Sequence, residues 1–313
     1  MRTLEATKPI GLLFVILGLC CAGCVHFNTP AERDASFLPY NNAKVGEEDL
    51  WEYLIARSAV LLMAEKLDFN SRKTNFFSIR NTNVWHGTAA PIDKRGYFLT
   101  AAHCVKQGQF WLVFPQDGQL QVEPARVVWR GGEKERELDL AILCISHPIS
   151  QTFQWATELT NGSSVLDLGL SLDDHSRVVQ PQCMAGRVLK VSEALSKDAL
   201  DYTVITHSSP LRPGDSGGPL VLPDGRLLGI NVSVKVGLQW SRLSLKREYS
   251  MTYRPDLAWL RKTIDADAAL QAMPCLNQGA GAKRRHAGQP DGSDNLSATL
   301  AADRTLGRPL CKY

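Results

Sequence analysis

Between residues 58 and 255 the apolar positions come in short runs: GYFLTAA (96–102), FWLVF (110–114), ARVVW (125–129), LDLAILCI (138–145), SVLDLGL (164–170), GRVLKV (186–191), DYTVITH (201–207), PLVL (219–222) and RLLGINVSV (226–234). They have the length of strands, turn-forming residues part most of them, and PDG at 223–225 joins two as a tight hairpin. No long helical pattern alternates with these runs. A parallel α/β sheet is therefore disfavoured, and an all-β barrel or sandwich is predicted. Two stretches depart from the pattern. EEDLWEYLIARSAVLLMA (47–64) has an acidic start suited to a helix N-terminus and passes into a β-branched, leucine-rich stretch, predicting a short helix and then a first strand near Ser58–Met63. RPDLAWLRKTI (254–264) carries Leu257, Leu260 and Ile264 at helical spacing, with Pro255 suited to the first turn, and predicts a closing helix. Residues 25–46 lack periodicity and read as a tether, and the Gly/Ala/Asn-rich 266–313 read as a disordered tail.

Composition changes this picture little. With 313 residues, 44% hydrophobic and 21% charged, the chain can bury a sizeable core and make about two domains of ordinary size. The net charge is +3, and the tail from Cys275 onward holds six basic residues against three acidic ones, which leaves the body near neutral. No basic face points to nucleic acid, and KRRH at 283–286 reads as a solvated tail segment. The N-terminus is more telling. Arg2 and Lys8 flank an apolar run from Ile10 to Leu19, too short to span a bilayer comfortably and patterned as an export signal. It ends in CAGC (21–24), which resembles the lipobox of bacterial lipoproteins, with Cys21 where that family usually has an aliphatic residue. The resemblance implies lipid on Cys24 and a membrane-anchored protein facing the periplasm or exterior; the other reading is an ordinary cleaved signal and a secreted protein. Beyond Cys24 stand Cys104, Cys144, Cys183, Cys275 and Cys311, an odd number that leaves at least one unpaired. Beyond Cys24 no C-x-x-C pair or H-E-x-x-H string offers a metal site, and no cofactor is implied.

The candidate chemistry lies at GDSGG (214–218), a string shared by the strand-to-helix nucleophile elbow of esterase-like hydrolases, the serine loop of trypsin-like peptidases and an idle glycine-rich turn. In the elbow enzymes the acid and histidine follow the serine. Here the only histidine after Ser216 is His286, in the polar tail, and PLVLPDG continues the loop as strand and hairpin instead of helix. Upstream, TAAHC (100–104) and LDLAIL (138–143) supply histidine and aspartate in the trypsin-like order. A serine hydroxyl is barely ionised at neutral pH and needs an adjacent base, which His103 can be. Asp139, at the start of an apolar strand, can hold the imidazole in the right tautomer. Gly214 lets its own amide and that of Ser216 point at a developing oxyanion.

These three motifs, HGTAAPIDKRGYFLTAAHC, LDLAIL and SPLRPGDSGGPL, resemble the trypsin-like (chymotrypsin-fold) serine peptidases over roughly 58–265, and DLAWLRKTI resembles that fold's closing helix. PGDSGGPLVLPDGRLLGIN resembles the bacterial HtrA-type branch, which usually has asparagine where Asp215 stands and adds a C-terminal PDZ domain for which 266–313 has no room. The resemblance implies two antiparallel six-stranded β-barrels, about 58–147 and 161–255, with His103, Asp139 and Ser216 in the cleft between them. It implies endopeptidase activity on protein or peptide substrates, with the non-catalytic protease-like binding or scaffold protein as the other class. By the same resemblance Pro210 sets the base of the primary specificity pocket and Val232, Ser233 and Val234 its wall, which favours small or medium apolar side chains over basic ones. Family features are also missing. Cys104 has no cysteine opposite in VWHGTAA and is expected buried and reduced; Arg212 stands where a family cysteine would. No IVGG-like activation site is visible, so Asp215, if buried, needs some other donor. His86, His147, His175 and His207 read as surface or satisfied polar residues, and EKERE (133–137) as a solvated loop. Oligomeric state is not set by any of these features.

Overall fold

The computed structural model of the protein describes residues 38–64, 69–70, 78–79, 84–106, 108–134, 137–172, 179–239 and 244–272. The chain enters through a 3-10 turn at Leu38–Tyr40 and a two-stranded ribbon, β1 (Lys44–Val45) with β2 (Glu48–Asp49). The helix α1 (Leu50–Ala56) follows, and Asp49 caps it by accepting the Trp51 amide at 2.8 Å. Leu50, Tyr53 and Leu54 form its buried face.

Six antiparallel strands then close the first barrel, in the order β10 (Ala141–Cys144), β7 (Tyr97–Thr100), β6 (Trp85–Asp93), β3 (Ala59–Ala64), β8 (Gln109–Gln116), β9 (Gln119–Arg130). A small pair, β4 (Phe69–Asn70) with β5 (Ser78–Ile79), lies between β3 and β6 in the chain. Leu61, Phe98, Leu112, Phe114 and Leu143 fill the first barrel, as alternation along short strands requires. The second barrel closes in the order β11 (Ser164–Leu172), β12 (Val179–Leu195), β13 (Asp201–His207), β16 (Ser244–Pro255), β15 (Leu227–Gln239), β14 (Pro219–Val221), around Val165, Val188, Ile205, Leu220 and Leu228. A larger apolar cluster draws Leu140 and Ile142 from the first barrel together with Leu166, Val221 and Ile230 from the second. That shared core fixes the cleft between them.

The all-β architecture of two six-stranded antiparallel barrels is thus as expected, and the differences lie in single elements. Hydrophobic runs do not mark β6 or β16. In β16 the buried residues include Ser250 and Thr252, whose hydroxyls donate to the Ser209 carbonyl and to Asn231 Oδ1, both at 2.6 Å. The closing helix α2 (Leu257–Ala272) starts later and runs further than the periodicity suggests. Pro255 ends β16 instead of opening the helix, and Asp256 is the cap, accepting the Trp259 amide at 2.7 Å. α2 crosses to the first barrel: Trp259 meets Trp129 edge-on at 4.7 Å, Asp267 takes both the Tyr97 hydroxyl at 2.8 Å and the Arg126 guanidinium, and Asp265 pairs with Arg95.

Candidate active site

β7 ends at Thr100, and residues 102–104 wind into one 3-10 turn that carries His103. β10 begins at Ala141, in register with Thr100, so the residues just before β10 lie beside that turn. Asp139 is one of them, and its carboxylate serves the turn twice. Oδ2 pairs with His103 Nδ1 at 2.8 Å, and Oδ1 accepts the His103 backbone N–H at 2.9 Å. The pairing assigns the proton to Nδ1 and leaves Nε2 for proton transfer. Burial pulls the His103 pKa down, but hydrogen bonds to Asp139 and to the Cys104 sulfur outweigh it, and the value rises to about 10.

The serine loop joins β13 to β14, and its amides divide into two sets. Those of Asp215, Gly217 and Gly218 donate to the carbonyls of Arg212, Asn231 and Asp215 at 3.0, 2.8 and 2.9 Å. Among the described residues, the amides of Gly214 and Ser216 donate to no protein group. Gly214 has φ +95°, a left-handed conformation that a side chain would strain. Gly217, at φ +84°, also lies so close to β6 that a Cβ would come within 2.0 Å of the Thr88 carbonyl oxygen.

Thr88 ties the two barrels together at this point. Its amide donates to the Ser216 carbonyl at 2.9 Å, its hydroxyl to the Gly214 carbonyl at 2.7 Å, and that hydroxyl accepts the Leu170 amide at 2.9 Å. Sequence reasoning assigned Thr88 no role. A threonine inside HGTAAP carries no signal of its own; only strand pairing shows which backbone it meets. Cys104, next to His103, is half-buried instead of buried, is unpaired, and places its Sγ 3.7 Å from the Ser216 carbonyl. The loop bearing Ser216 and the turn bearing His103 therefore meet across the cleft.

Behind the loop the second barrel is polar. Asp215 is 1% exposed; its Oδ2 accepts the Arg212 amide at 2.7 Å, which is the donor its burial demanded, and its Oδ1 has no hydrogen-bond partner among the described residues. Burial pushes its pKa up to about 7 against the opposing pull of Arg212. Of the pocket residues, Pro210 is buried and Val232 sits in the shared core, while Ser233 and Val234 are partly exposed on β15 beside a bulge between Asn231 and Ser233. His207 is fully buried against the Thr252 hydroxyl, and exposed His147 pairs with Glu123. Cys24 and His175 lie outside the described residues.

Two barrels, a histidine–carboxylate pair on the first and a glycine-bounded serine on the second, make up the architecture of a double-barrel serine peptidase. The chain carries such a domain by sequence as well: residues 87–230 match the family described as trypsin-like peptidase domain. A curated relative, the serine protease Do-like HtrA of Bacillus subtilis, is 27% identical over 210 residues, which cover 64% of this chain and 45% of the relative. The chain thus spans less than half the length of that HtrA. Among solved structures, the active form of the Rv3671c protease of M. tuberculosis is similar with a TM-score of 0.49 at 18% identity, covering 77% of this chain and 90% of that one. The HtrA-type protease AlgW with a tripeptide gives 0.48 at 18% identity, covering 68% and 60%. By sequence, then, residues 87–230 carry a trypsin-like peptidase domain, and the chain around it is similar to an HtrA protease.

Proposed function

We propose that this protein is an exported serine endopeptidase in which Ser216 is the nucleophile, His103 the general base and then acid, and Asp139 the group that orients and charges the imidazole. The observation that carries this reading is the double hold of one carboxylate on His103, through ring and backbone, across the cleft from the serine loop. The Ser216 hydroxyl attacks the scissile carbonyl carbon while its proton passes to His103 Nε2; the oxyanion forms against the amides of Gly214 and Ser216, which donate to no protein group among the described residues. The C–N bond then breaks, Nε2 returns the proton to the leaving amine, and water releases the acyl group by the same steps. Only the neutral imidazole accepts the proton, so the rate climbs with pH through a His103 ionisation displaced upward from its ordinary value.

The substrate is a protein or peptide. No carboxylate stands at Pro210, so a basic side chain there would lack a counter-charge, and Ser233 and Val234 leave a graded preference for small or medium apolar residues. Residues 1–24 act as the export signal and Cys24 carries the lipid that holds the 58–265 body to the membrane; among the described residues no helix is long and apolar enough to cross one.

A fluorophosphonate probe tests the central claim. Protein beginning at residue 25, folded without any other protease, is expected to label at once and to cleave peptides, and Ser216→Ala is expected to fold, fail to label and lose on the order of 10⁴-fold in kcat. Equal turnover by parent and variant overturns the assignment. A well-folded parent that never labels favours the non-catalytic binding protein instead.

A further inference from the structure

Arg130 is the last residue of β9, in register with Ala141 of β10, which is in turn in register with Thr100 of β7. Its side chain therefore leaves the sheet beside the start of β10, which follows Asp139, and one strand away from the end of β7, which runs into the His103 turn. Each of its three guanidinium nitrogens is engaged there. Nε donates to the carbonyls of Ala102 at 3.1 Å and Val105 at 2.5 Å, the two residues that bracket His103 and Cys104. Nη1 donates to the Gly131 carbonyl at 3.3 Å, and Nη2 pairs with the Glu133 carboxylate. Gly131 itself donates its amide to the Leu140 carbonyl at 2.9 Å, so the same residue pair tethers the strand entry that follows Asp139.

We propose that Arg130 is a positioning residue for the catalytic pair, holding the His103 turn by its carbonyls while Asp139 holds it by its amide and ring. The Ala102 carbonyl closes the turn by also accepting the Val105 amide at 3.0 Å, the Val105 carbonyl lies past its end, and one charged donor bridging the two fixes them more firmly than a neutral side chain can. Anion on the amide side and cation on the carbonyl side together set the imidazole against the serine loop. The EKERE segment gains a purpose as well, since Glu133 anchors the far end of the fork. The inference rests on the proposed role of His103.

The test uses the full chain with the parent as reference, reading fluorophosphonate labelling rate and ester kinetics. Arg130→Ala is expected to lower the labelling rate and kcat by roughly 10- to 100-fold, the scale of a small misplacement of a reacting group, with KM little changed. Arg130→Lys, which keeps one charged donor, is expected to recover part of the loss, and dilute guanidinium chloride to recover part of it in Arg130→Ala alone. Labelling of a folded Arg130→Ala at the parent rate overturns the proposal. So does a loss that neither lysine nor guanidinium relieves. A parent that does not label brings down the peptidase reading first, and this inference with it.

Discussion

A carboxyl group that is 1% exposed must be neutral or fully matched, and Asp215 is matched on one oxygen only. Burial raises its folded pKa to about 7, and Arg212 pulls against the rise, with buried Cys183 and Asp167 near by. The folded state thus holds a proton that the unfolded chain gives up near pH 4. Between there and about pH 7 stability falls as pH rises, by on the order of 4 kcal/mol from this group, and the loss is constant above. Asp215→Asn is expected to flatten that fall, seen as urea midpoints at pH 5 and pH 8 that differ less in the variant than in the parent. An equal pH dependence in both would mean that Asp215 is ionised and matched in the folded state. At this scale the chemistry was legible because it demands residue types: a serine among glycines, a histidine and an aspartate in one order. Thr88 and Arg130 were not legible, because each acts on backbone atoms whose position only the strand register reveals.

Among the elements, strands whose inward residues are apolar were visible as runs, and β16 was not, because Ser250 and Thr252 face Ser209, Asn231 and His207 in a buried polar end of the barrel. The helix α2 was visible by its first two turns only. Past Ile264 its contacts turn largely polar: Asp265 to Arg95, and Asp267 to Arg126 and Tyr97, with Ala268 still against the apolar core. Burial alone would raise the Asp267 carboxyl, yet Arg126 and Tyr97 hold it below its ordinary range. Asp267→Asn should therefore destabilise the fold by about 1–2 kcal/mol at neutral pH, the modest scale of a pair that water partly reaches. A melting temperature lowered by several degrees, with added salt narrowing the gap, would bear this out. No change would reduce the clamp to a surface contact.

The whole molecule is laced at both ends. α1, before the first barrel, rests Tyr53 on Gly225 and Phe153, next to strands of the second barrel; α2, after the second barrel, fastens onto β7 and β9 of the first. For a chain that leaves the ribosome N-terminus first, this order matters. The first barrel emerges long before the helix that clamps it, and α1 waits for a hairpin not yet made. The three residues of the proposed triad are all translated by Ser216, and the helix that fastens the second barrel to the first, residues 257–272, comes only after them. On the proposed triad, the site is expected to stay idle until that helix is in place. A chain stopped at Asp256, with every proposed catalytic residue present, should thus fail to react with fluorophosphonate, and a separate peptide of 257–272 should restore part of the labelling. Full labelling of the shortened chain would show that assembly of the site does not wait for its last helix.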